Sequence, residues 1–192
     1  MIETVVQLVF RTPLWMVVAA LLVGGTERAW AQSFLIQAGP AGQQIRPIED
    51  RPPAPEIAFQ DSDGRDWGFV EFRGKLVLAI FWATWCPVCE IEMPALDRLQ
   101  EELGPAGLEV IALSVDQQGE ALRRYAARHD LQHLKLYRDP EAISAAVLGI
   151  RGVPTTFVID PSGKMIGVVE GAADWQAPDV KRLLGRYLRP VE

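Results

Sequence analysis

The feature that most constrains this chain is a run of eight apolar residues, Leu76 to Ala83, that leads almost directly into Cys86-Pro87-Val88-Cys89. A stretch apolar on both faces suits a central strand covered by helices on each side. Where such a strand ends in a helix, the first helical amides are unpaired and the positive end of the dipole points at the capping residue. With Cys86 at the cap, Pro87 takes the first helical position, where its missing N–H and fixed φ cost nothing, and Cys89 takes the third. The amides can then hydrogen-bond the Cys86 sulfur, which moves a thiol pKa from about 8.5 into the range of roughly 3.5 to 7.5. Cys86 is therefore the expected nucleophile. Cys89 faces the same side of the helix but lies deeper, placed to attack a mixed disulfide on Cys86 and release the reduced substrate.

The chain has two cysteines, both inside this one helical turn. A disulfide closing so short a loop removes little unfolded-chain entropy. A chain of 192 residues with 49% hydrophobic content also has enough apolar surface for one sizeable core without a staple. Zinc would need two more ligands, and the candidates of the right type, His129 and His133, stand far from finger spacing. The expectation is no metal and no cofactor beyond a redox-active Cys86–Cys89 pair. A net charge of -6 speaks against nucleic acid as a partner. Cu(I) handling by the two thiolates stays open as an alternative, because soft ligands suit that ion.

Residues 1–31 read as an export signal: an apolar run from Leu14 to Gly25 is followed by the small-x-small triplet Ala29-Trp30-Ala31, so that cleavage leaves Gln32 first. An uncleaved anchor is the other reading of this segment. Residues 32–56, with five prolines and few large apolar side chains, read as an extended tether. Residues 57–192 read as one globular domain. There Asp61-Ser62-Asp63-Gly64 is a turn between strands at Ile57–Gln60 and Trp67–Phe72; a calcium loop is the alternative, but its twelve-residue ligand spacing does not follow. A helix from Cys86 to about Leu103 and a buried strand at Leu108–Val115 complete a parallel right-handed crossover. Helices are expected at Gly119–His129 and Glu141–Leu148 around a strand at Leu134–Tyr137. A hairpin of Thr155–Ile159 with Met165–Glu170 and a closing helix at Pro178–Leu188 follow. The class is α/β, a mixed sheet with helices on both faces.

Glu92 lies three residues after Cys89 and lines up with Leu96, Leu99 and Leu103 at helical spacing. A carboxylate on the core face beneath a dithiol has a raised pKa and can exchange a proton with Cys89. Glu90, Asp97 and Glu101 fall on the other side, as solvated charges.

Phe81-Trp82-Ala83-Thr84-Trp85-Cys86-Pro87-Val88-Cys89, then Pro94, and Gly152-Val153-Pro154-Thr155-Thr156-Phe157 together resemble the thioredoxin superfamily, in its TlpA-like branch. That branch includes the cytochrome c maturation thioredoxins, and the resemblance covers about Ile57 to Arg189. It implies a thioredoxin fold with an N-terminal strand extension and a central αβ insertion, the latter at Gln117–Asp139. It implies that Pro154 is a cis-proline facing the dithiol, that Val153 offers its backbone to a substrate chain, and that Trp85, Pro87 and Val88 flank the substrate. It makes Glu92 the buried active-site acid and Pro94 the proline that bends the first helix. Ile80 stands where ordinary thioredoxins carry a buried aspartate, Pro-Val replaces their Gly-Pro, and Thr155 stands where cytochrome-maturation members often place an acid.

The resemblance thus implies a periplasmic or otherwise extracytoplasmic thiol:disulfide oxidoreductase, a reductant of oxidised cysteines in exported proteins, with apocytochrome c and copper-site proteins as candidate clients. A membrane thiol donor would supply its electrons. A peroxiredoxin-like peroxidase is a further alternative, but that chemistry wants threonine three residues before its cysteine and Thr84 is two before.

Overall fold

The computed structural model describes residues 36–38, 43–116, 119–139, 141 and 143–188. The expected signal at 1–31 lies outside the described residues, as does Gln117 at the start of the expected insertion. Leu76–Trp82 forms β5, buried at every position. Side chains alternate across a strand, so β5 divides the core in two. Leu78, Ile80 and Trp82 join the cluster that contains both cysteines, while Val77, Ala79 and Phe81 join a second cluster on the opposite face.

The strands β6 (Leu108–Ser114) and β7 (Lys135–Arg138) run parallel outward from β5. On the other side β8 (Thr155–Ile159) and β9 (Met165–Glu170) are antiparallel. With β1 (Ile36–Ala38), β2 (Gln43–Pro47), β3 (Phe59–Gln60) and β4 (Asp66–Trp67), the sheet among the described residues has the order β1-β2-β9-β8-β5-β6-β7-β3-β4. The α-helices among the described residues are α1 (Pro87–Leu103), α2 (Gly119–His129), α3 (Ile143–Val147) and α4 (Pro178–Gly185). Leucines of α1 and α4 and Tyr125 of α2 pack on the cysteine-bearing face, whereas Ala145 of α3 packs on the other. This is the α/β thioredoxin fold with helices on both faces.

Three expectations change. The segment 32–56 is not a free tether over its second half: β2 pairs with β9, Arg46 opposite Val168, and Ile45 is fully buried. Gly167 makes room for it, since a Cβ there would lie 2.9 Å from Cγ2 of Ile45. The strand expected at Trp67–Phe72 stops at Trp67. Glu71 accepts a hydrogen bond from the Gly68 amide (2.9 Å) and starts a 3-10 turn over Phe69–Phe72 that buries Phe69 and Phe72 instead. The closing helix ends at Gly185 rather than Leu188. The Asp61–Gly64 turn forms as expected, Asp61 accepting from the amides of Asp63 and Arg65 and from the Trp67 indole.

Candidate active site

The end of β5 hands the chain to Ala83-Thr84-Trp85 and then to α1. Asp116, just past the end of neighbouring β6, holds that loop: its carboxylate accepts from the Thr84 amide (2.8 Å), the Thr84 hydroxyl (3.0 Å) and the Ser114 hydroxyl (2.6 Å). Sequence reasoning missed Asp116. The signal available was its place at the carboxyl end of a parallel strand, where sites of α/β sheets form.

Cys86 is the N-cap of α1, with extended backbone, and Pro87 is at the first helical position. The Cys89 amide donates to Cys86 Sγ at 3.1 Å. The two sulfurs are joined as a disulfide, with Cα atoms 5.3 Å apart, inside the ordinary span. Cys89 is fully buried and Cys86 retains slight exposure, the asymmetry expected of an attacking and a resolving thiol. Trp85 and Val88, the neighbours of Cys86 and Cys89 in sequence, are exposed apolar side chains, as is Ile91 one turn further along α1.

Opposite lies the turn before β8. The Val153–Pro154 peptide bond is cis, and the Val153 carbonyl oxygen is 3.8 Å from Cys86 Sγ. Thr155 Oγ1 donates to the Gly152 carbonyl (2.7 Å) and the Gly171 amide to the Pro154 carbonyl (2.8 Å), fixing the turn. Pro94 interrupts the amide ladder of α1, but the helix runs unbroken from Pro87 to Leu103.

Glu92 is buried, with 4% exposure, in the same cluster face as Cys89. Its Oε1 accepts from the Ala173 amide (2.7 Å) and the Trp175 indole (2.9 Å), and its Oε2 has no hydrogen-bond partner among the described residues. Burial pushes the carboxyl from 4.5 up to about 7, against these two bonds, which pull it down. Neither Ala173 nor Trp175 carried a sequence signal, because both reach the site from the loop after β9. Ile80 is fully buried in the cluster that holds both cysteines.

The expected surface charges are more engaged than their spacing suggested. Glu90 Oε1 lies 3.1 Å from His129 Nε2, His129 stacks on Tyr125, and Tyr125 packs against Trp82. Asp97 accepts from the amides of His133 and Leu134 and so positions the entry to β7. His133 faces Glu101.

Residues 51–168, more than half of the chain, match the AhpC/TSA family. The chain is 32% identical over 139 residues to the thiol-disulfide oxidoreductase ResA of Bacillus thuringiensis subsp. konkukian, covering 72% of this chain and 76% of that one. A thioredoxin-family thiol:disulfide interchange protein from Chlorobium tepidum superposes with a TM-score of 0.60 at 27% identity, covering 71% of this chain and 96% of the other. The thioredoxin domain of a thiol-disulfide oxidoreductase from Bacteroides vulgatus superposes with a TM-score of 0.63 at 20% identity, covering 72% and 97%, a likeness of fold.

Proposed function

The chain belongs to the AhpC/TSA family, and from that membership and the dithiol at the head of α1 we propose that it is an exported reductant of protein disulfides. That it is a thiol:disulfide oxidoreductase follows from its kinship with ResA. The direction of electron flow, the clients and the compartment are the proposal. The observation that carries it is the pairing of a slightly exposed cysteine beside the Val153 carbonyl with a fully buried cysteine on the helix face that also buries Glu92.

In the reduced enzyme the Cys86 thiolate, stabilised by the Cys89 amide and the helix dipole, attacks one sulfur of a substrate disulfide. A Cys86–substrate bond forms, and the other substrate sulfur leaves as a thiolate. Cys89 then loses its proton, for which Glu92, with a pKa of about 7, is the acceptor. The Cys89 thiolate attacks Cys86, closes the 86–89 disulfide and releases the second substrate thiolate. The substrate gains two electrons and the enzyme loses them. A membrane thiol donor restores the dithiol.

The peroxidase alternative needs a threonine hydroxyl aimed at the reactive cysteine, and the hydroxyl of Thr84 is spent on Asp116. No helix among the described residues is long and apolar enough to cross a membrane. Export rests on residues 1–31 as a leader; fusing them to a reporter active only outside the cytoplasm tests it. One assay on the reduced purified chain separates the chemistries: reduction of a protein disulfide is expected, and preferential peroxide consumption or retention of Cu(I) through dialysis would overturn the proposal.

A further inference from the structure

Beside the cis peptide a cavity of about 330 Å³ opens between the Arg151–Thr155 turn and Glu170-Gly171. We infer that this cavity is a subsite for an acidic side chain of the substrate polypeptide, read by Arg151 beside Glu170. The inference rests on the reductant reading and adds a specificity to it.

Glu170 carries two guanidinium groups: Arg46 Nη2 lies 2.6 Å from its Oε2 and Arg151 Nη2 3.3 Å from its Oε1. Two cations on one carboxylate leave a surplus of one positive charge at this rim, in a chain whose net charge is -6. The Arg46–Glu170 pair has a structural role, since it ties β2 to β9, where Arg46 opposes Val168. Arg151 has none of that kind. The Thr155–Glu170 register and the Gly171–Pro154 hydrogen bond already fix the turn, and the Arg151 side chain is 86% exposed. An exposed pair of this geometry is worth little for stability, whereas a guanidinium with donors to spare is suited to a second carboxylate.

Position supplies the rest. Arg151 stands two residues before Val153 in the turn that carries the cis bond, and both residues line the cavity. A substrate strand that pairs with Val153 while its sulfur meets Cys86 therefore brings a residue about two positions from its cysteine to the Arg151 rim. The exposed side chains next to the two cysteines in sequence, Trp85 and Val88, are apolar, so the charge available to a substrate is that of the Arg151 side.

The test uses the full chain in its reduced form and short synthetic peptides with one intramolecular disulfide. Glu, Gln or Lys is placed two residues from the reactive cysteine, on either side, and enzyme oxidation is followed by tryptophan fluorescence. The expected order of kcat/KM is Glu above Gln above Lys, about three- to tenfold between the extremes at low salt, narrowing at about 0.5 M salt. The readout is the Glu-to-Lys ratio, in which any general loss of activity cancels. Arg151→Gln is expected to at least halve that ratio, and Glu170→Gln, which leaves both arginines uncompensated, to raise it. A wild-type ratio near one, or a ratio that Arg151→Gln leaves unchanged, would overturn the subsite while the reductant reading stands. Failure to reduce any of the peptides would sink both.

Discussion

Glu92→Gln exchanges a buried ionisable group for a neutral one of nearly the same shape, and its consequence for stability can be worked out with a sign. In the folded chain burial raises the Glu92 carboxyl from 4.5 to about 7. A folded-state pKa above the unfolded one means that the native state holds its proton more tightly. The stability contribution is therefore fully present below about pH 4.5 and is lost as pH rises through about 7. The difference corresponds to about 3 kcal/mol at pH 8. Glutamine keeps an oxygen for the Ala173 amide and the Trp175 indole and carries no charge to bury. The stability gap between the variant and the wild type should consequently shift by about 3 kcal/mol in favour of the variant between pH 4.5 and pH 8. For a domain of this size that is about 6 to 12 °C in melting temperature. Urea unfolding of the oxidised protein at pH 4.5, 6 and 8 measures it, and because all other titrating groups are common to both proteins, their contributions cancel. Two stability curves that run parallel across this window would refute the reasoning and show that folding does not raise the Glu92 pKa.

The same variant should slow closure of the 86–89 disulfide at neutral pH by roughly a hundredfold and abolish a kinetic inflection near pH 7, since a proton acceptor is gone; stopped-flow rates that keep the inflection would remove Glu92 from the mechanism. Cys89→Ser should accumulate substrates as mixed disulfides on Cys86 while Cys86→Ser accumulates almost none, visible on non-reducing gels, and equal trapping by the two would reverse the assignment of roles. Equilibration with glutathione buffers should place the reduction potential nearer about -270 mV than about -120 mV, a span of about 7 kcal/mol, because Pro87 and Val88 offer the thiolate no side-chain donor. A value more positive than about -180 mV would make the protein an oxidant. Asp116→Ala removes the acceptor for three donors at the head of the site and should cost about 2 to 3 kcal/mol in urea unfolding; a loss under about 0.5 kcal/mol would show that the loop is held by its own turn.

Local pattern determined the centre of this molecule. An unbroken apolar run can be buried only as a central strand, proline after Cys86 suits a helix start, and three-residue spacing from Cys89 puts Glu92 on the buried face; each is a matter of a few neighbouring residues, and the structure shows each one. The features that turn this centre into a site come from far along the chain. The Val153 carbonyl meets Cys86 across 67 residues, the Ala173 amide meets Glu92 across 81 and the Trp175 indole across 83. Without the superfamily resemblance, Gly152-Val153-Pro154 is an ordinary turn, and Trp175 has no periodicity that points to Glu92. The same holds for residues 43–47, which form a strand despite Pro47 because β9 presents an edge to pair with and Gly167 leaves space for Ile45. Periodicity and capping are fixed by interactions within one or two turns of chain. The pKa of Glu92, the open carbonyl at Val153 and the charge at Arg151 depend instead on what distant segments bring into contact, and only the closed sheet decides that.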